Sequence, residues 1–278
     1  MAKLARLSAP KVPRLHKPHK PAWLKPDNGT EDVFEEMTLS EHLLELRSRI
    51  VRACFSIGGA FIIGVIIAKS ILSKIVQQAN VEANGGFDIQ SPTDPLTLYF
   101  KVALYVALVV AAPLIMVQVM GFIAPGMTRR EKRLVYLSLP WVAIMAVVGA
   151  SYGFFVAAPR ALYFLSKFMP SIFHWDPDAK EIIGFYLTLM LGLALAFQIP
   201  IIMFILAKLN LVTPKKMASV RRYASVIVLI LAAVITPSTD PINMMIVAIP
   251  LYLLYEGGIV VSRFFAKTPI SKSPLPAT

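Results

Sequence analysis

The chain has 278 residues, 56% hydrophobic and 16% charged, with a formal net charge of +12. Soluble globular domains carry about 45–50% apolar and about 25% charged residues, so this composition excludes an ordinary soluble domain, a disordered chain and a basic nucleic-acid binder alike. Excess Lys and Arg on so apolar a chain instead marks the cytoplasmic flanks of membrane spans, and the single cysteine, Cys54, excludes an internal disulfide or a cysteine-rich metal site.

Residues 1–36 read as a basic, disordered cytoplasmic tail. Pro10, Pro13, Pro18, Pro21 and Pro26 break any periodicity, and the charge turns acidic from Asp27 to Glu36. No apolar run precedes Thr38, so no cleavable signal peptide is expected. The lysines suit anionic lipid headgroups, at about 1 kcal/mol each near such a surface, or form a plain solvated tail. His16 and His19 are split by Pro18 and flanked by lysines, which opposes a metal site.

Thr38 and Glu41 have the spacing of a capping box, and Leu39, Leu43, Leu46 and Ile50 recur at helical spacing. Glu41, Glu45, Arg49 and Arg52 fall on other faces, so an amphipathic helix at headgroup level is expected to lead into the bilayer. Uncharged runs follow between Arg52 and Lys69, Lys101 and Arg129, Arg133 and Arg160, and Glu181 and Lys208. The last three are each long enough for one span of about 20 residues and too short for two; the first holds 16 residues and must use Val51 and a snorkelling Arg52 or Lys69.

The fifth and sixth runs, 223–236 and 241–255, are short and would reach only roughly 21–23 Å as helices. Two readings fit them: a re-entrant hairpin, or two short spans that thin the bilayer, the sixth extended past Glu256 towards Arg263. Six spans with a cytoplasmic N-terminus place 22 of the 28 Lys and Arg on the cytoplasmic side. That is a strong positive-inside pattern. Pro113, Pro140, Pro200 and Pro250 interrupt apolar runs and predict bent helices forming a concave wall. The expected fold is thus an all-α polytopic membrane protein of six spans, over 37–266, followed by a cytoplasmic tail at 267–278.

No nucleophile with a base, no phosphate-binding loop and no acidic pair within a span occurs, so neither an enzyme nor a cofactor or metal is expected. The informative residues are isolated acids and membrane amides. Glu131 stands alone in TRREKR, either as a loop carboxylate held by its neighbours or as a docking point for a cationic ligand. Glu45 has the spacing of an ion pair with Arg49. Gln198, two residues before Pro200, either bonds a carbonyl that Pro200 frees or contacts a partner helix. Asp240 and Glu256 mark the two ends of the sixth run, and Glu256 is placed to snorkel or to pair with a nearby base.

HLLELR (His42 to Arg47), FIAPGMTRREKR (Phe122 to Arg133), AFQIP, TPSTDPIN and AIPLYLLYE (Ala248 to Glu256), in this order, resemble the TatC family of the twin-arginine translocase. The resemblance covers about residues 38–266. It implies a glove-shaped wall of six spans, both termini in the cytoplasm of a prokaryote, and residence in the inner membrane. It also implies binding of signal peptides with paired arginines, recruitment of single-span TatA and TatB partners, and export of folded proteins driven by the proton-motive force.

Carried over, signal-peptide binding falls on Glu45 and Glu131, with His42 and Arg47 of the same motif. Paired guanidinium groups are best read by carboxylates, which accept bidentate bonds. Partner docking falls on Thr236, Asn243 and Gln198, and the motif positions are Pro113, Gln118, Pro125, Pro200, Asp240 and Glu256. Where the family often has a glutamate in the fourth span, this chain has Gln198. From the residues alone, a proton-coupled transporter of a small solute is the alternative. It would need ionisable groups at the bilayer midplane, where the clearest candidate is neutral Gln198.

Overall fold

The computed structural model describes residues 39–79, 91–123, 129–169, 178–209, 211–238 and 240–265. The basic tail, Thr38, the first inter-span loop, Pro125 and the C-terminal tail lie outside the described residues. All regular structure among those described is helical.

Helix α1 (Leu39–Gln78) joins the amphipathic segment and the first apolar run in one piece of 40 residues, with Glu41 in its first turn. It packs against α2 (Asp94–Ile123) through small residues. Ala60, Gly64 and Ala68 recur at every fourth position of α1, and Ala103, Ala107 and Ala111 do the same on α2; all are buried. A Cβ on Gly64 would collide with the Ala103 carbonyl, so the two backbones touch there. Within a bilayer no hydrophobic force pulls helices together, and such close backbone approach supplies the packing. Tyr99 adds a bond across the pair, its hydroxyl donating to the Val65 carbonyl at 2.6 Å.

The third span is composite: α3 (Arg129–Tyr152), a π-helical turn at Gly153–Ala157, and α4 (Ala158–Ser166). The helix runs unbroken through Pro140, as α2 does through Pro113, so neither proline is where its span is interrupted. The irregularity sits just before Pro159, which has no N–H for the Phe155 carbonyl, and the Ala158 N–H bonds Gly153 five residues back. Gly149 and Gly153 let this span press onto the next: a Cβ there would lie 2.6 Å from the Leu193 carbonyl oxygen and 2.8 Å from that of Leu189.

The fourth span, α5 (Ala179–Ala196) and α6 (Ile199–Lys208), is the centre of the bundle and the most buried of the candidate spans, the first being the least. Ile182, Tyr186, Leu189 and Leu193 are shielded on all sides, as expected of a helix apolar all round. At its outer end Lys180 pairs with Asp94 at 2.8 Å, stapling the start of α5 to the start of α2.

A short α7 (Pro214–Ser219) leads into α8 (Arg221–Ile235) and α9 (Pro241–Phe265). The sixth run is a helix of 25 residues that passes through Pro250 and Glu256, so the extended reading holds and the hairpin of two short arms is excluded. Of the fifth and sixth runs, it is the fifth, α8, that stays short: 15 residues, about 22 Å at 1.5 Å per residue. Among the described residues, five helical stretches are long and apolar enough to cross a membrane: Ser40–Gln78, Asp94–Phe122, Lys132–Ser166, Ala179–Lys208 and Pro241–Phe264. The shorter α8 lies against α9.

Candidate functional site

The polar residues gather at the two ends of the bundle. At the end holding the α1 N-terminus, the His42 ring stacks on Phe122 with centroids 4.1 Å apart, joining the start of α1 to the end of α2. One turn on, Arg49 holds Glu45: Nη2 donates to Oε1 at 2.9 Å and Nε to the same oxygen at 3.3 Å. The same Nη2 donates to the Gly121 carbonyl at 3.2 Å. A Cβ on Gly121 would collide with the Arg49 guanidinium, so glycine is what admits the arginine. The second Glu45 oxygen, Oε2, is buried with no hydrogen-bond partner among the described residues. Gln118, one turn before Phe122, likewise has an unpartnered buried Oε1. Arg47 is exposed. Glu131 lies in the first turn of α3, and its side chain is outside the described residues.

Sequence reasoning finds the Glu45–Arg49 pair but misses Gly121, which carries no signal of its own; its role depends on which atom approaches it from another helix. It also leaves open the partner of Glu256. That partner is Arg221, whose Nε and Nη2 reach the two carboxylate oxygens at 2.7 Å each. Beside it, the Tyr255 hydroxyl donates to the Met217 carbonyl at 2.6 Å, closing α7 onto α9.

At the opposite end, Asn243 gathers with Asp240 and Ser238, while the bonds of Thr236 run back into its own helix. Asp240 accepts from the Asn243 backbone N–H at 2.7 Å and from its side-chain Nδ2 at 2.8 Å, capping α9. Nδ2 also donates to Ser238 at 3.2 Å. Thr236 is buried at the end of α8 and donates back to the Ala232 carbonyl at 2.8 Å.

Gln198 does not join this cluster. It is buried where α5 gives way to α6, and Nε2 donates to the Ala194 carbonyl at 3.2 Å and to that of Val142, in α3, at 3.3 Å. The expectation of a carbonyl freed by Pro200 is corrected here. Pro200 leaves Ala196 short of a donor, whereas the Gln198 side chain serves Ala194, because its own backbone N–H has turned to Leu195 at 3.0 Å. Its Oε1 is buried without a partner among the described residues.

Among the described residues no group of three or more His, Cys, Asp or Glu stands together to hold a metal ion. Asp94, the buried carboxylate among those residues, is spent on Lys180 at the bundle's end, so no described carboxylate is enclosed at mid-depth as a small-solute, proton-coupled carrier would require.

These features define a multi-pass helical membrane protein with polar clusters at its ends and no catalytic constellation among the described residues. The family model described as "Sec-independent protein translocase protein (TatC)" matches residues 41–250, and the chain belongs to that family. It is therefore a component of the Sec-independent, twin-arginine protein translocase, in a family of translocase components rather than enzymes. The chain is 30% identical to the Sec-independent protein translocase protein TatC of Halothiobacillus neapolitanus over 251 residues, 88% of this chain and 68% of that one. It is 30% identical to the TatCy protein of Bacillus subtilis over 240 residues, 84% and 92% of the two chains. A crystal structure of the twin arginine translocase receptor TatC superposes with a TM-score of 0.68 at 30% identity, covering 82% of this chain and all of that one.

Proposed function

We propose that the chain is the receptor component of this translocase and that the end holding the α1 N-terminus binds the paired arginines of signal peptides. The observation that carries this is Glu45: one oxygen fixed by Arg49, the other buried with no donor among the described residues. A desolvated carboxylate oxygen without a donor is costly, and an incoming guanidinium offsets that cost with a charge-assisted bond. Glu131, in the first turn of α3, supplies the second carboxylate. His42 and Arg47 belong to the same surface, His42 by its stack on Phe122.

Single-span partners of the TatA and TatB type dock along α8. Tyr223, Val226, Ile227, Ile230 and Val234 form an apolar stripe on it, each more than half exposed. Thr236 and Asn243 fix the corner from which that helix leaves the bundle, and Gln198 stiffens the α5–α6 break behind it. The basic face, with both termini, is cytoplasmic in the inner membrane of a prokaryote. The tail at 1–36 rests on anionic lipids, and export of folded proteins draws on the proton-motive force.

The test is site-specific crosslinking of a twin-arginine signal peptide to the membrane-embedded chain. Glu45→Lys and Glu131→Lys are expected to lose the crosslink while inserting normally. Gly121→Ala, which evicts Arg49, is expected to weaken it. Undiminished crosslinking in both charge reversals overturns the assignment.

A further inference from the structure

Between α1, α2, the third span and α5 runs a cleft of about 190 Å³. Val106 and Val110 form one wall, Val147, Ser151 and Phe155 another, and Lys74 stands at its rim. From Val147 to Phe155 the lining extends about 12 Å along the helix at 1.5 Å per residue. Val147 and Phe155 are more than half exposed, so the cleft is open along its side. The π turn shapes it: the extra residue turns Phe155 outwards while Phe154 stays buried against Tyr186, 5.5 Å between ring centroids.

Lys74 is the one charged residue of the lining. Its Nζ sits 5.6 Å from the Phe155 ring centroid, and it forms no ion pair with any described residue. Counted from Arg52, it lies about 33 Å along α1, against a hydrocarbon core of about 30 Å. An arginine at one interface therefore puts Lys74 at headgroup depth in the opposite leaflet. An apolar trough within the hydrocarbon, ending under an unneutralised ammonium at phosphate level, matches a phospholipid: one acyl chain below, one anionic headgroup above. A zwitterionic lipid brings its own ammonium beside the phosphate, so the lysine favours a headgroup with net negative charge.

We propose that this cleft is an anionic-phospholipid site, with an acyl chain along Val147–Phe155 and the phosphate held by Lys74, in the leaflet opposite the α1 N-terminus. The site is independent of signal-peptide binding, since it shares no residue with the Glu45 end.

Native mass spectrometry of the purified full chain tests it, titrating phosphatidylglycerol and phosphatidylethanolamine of equal chain length. Wild type is expected to retain the anionic lipid about fivefold better, the factor one lysine contributes at an anionic surface. Lys74→Gln and Lys74→Glu remove that preference, Lys74→Arg keeps it, and Val147→Trp, filling the trough from its open side, lowers retention of both lipids. An unchanged preference in Lys74→Glu overturns the proposal. So does loss of preference in Lys74→Glu with full retention in Val147→Trp, which moves the headgroup contact to the plain surface.

Discussion

Arg221 grips Glu256 at both carboxylate oxygens, 2.7 Å from Nε to Oε1 and 2.7 Å from Nη2 to Oε2. This fork ties the first residue of the short α8 to α9 and neutralises an acid in the helix interior. Both side chains are partly exposed, at 45% and 28%, so solvent screening limits the pair, and bidentate geometry raises it towards the upper end of the surface range, about 1 kcal/mol. Arg221→Ala is expected to fray the first turn of α8. Hydrogen exchange at residues 222–225 should accelerate about fivefold, with little change in the α1–α2 pair.

Gly64 and Gly58 lie on the same helix and should respond in opposite ways. At Gly64 a new Cβ meets the Ala103 carbonyl, a backbone atom that moves only if α1 and α2 part. Gly64→Val is expected to cost about 1–3 kcal/mol by overpacking, seen as a lower midpoint of thermal unfolding in detergent. At Gly58 nothing lies within 4 Å, so Gly58→Ala gains helix propensity of up to about 1 kcal/mol and leaves packing intact.

The helices themselves are legible because uncharged runs of span length leave little choice in a bilayer. The end of the sixth is obscured by Glu256: an acid in a helical pattern reads as its terminus until Arg221, thirty-five residues earlier, is seen to neutralise it. The prolines within apolar runs lead one to expect bends at such positions as Pro140, and α3 continues helical through that residue; the π turn before Pro159 carries no comparable signal in the sequence. At the Glu45 end the ion pair follows from i,i+4 spacing. Its support does not, since Gly121 is seventy-two residues from Arg49 and only the fold brings them together.

Gln198 is where the chain departs from the glutamate frequent in the fourth span of the resembling family, and its geometry says what that substitution does. The amide donates to two carbonyls, those of Ala194 and Val142. A carboxylate in its place has no hydrogen to give and would face both oxygens, and leucine abandons the same two carbonyls without adding a charge. For Gln198→Leu the loss is expected at about 1–3 kcal/mol, the cost of leaving buried acceptors unmet. Gln198→Glu is expected to lose at least as much, because it also sets a buried carboxyl against two carbonyl oxygens. Thermal unfolding of the detergent-solubilised variants reads it directly: both midpoints fall below wild type. A wild-type midpoint in Gln198→Glu would mean that the glutamate finds a donor at this position.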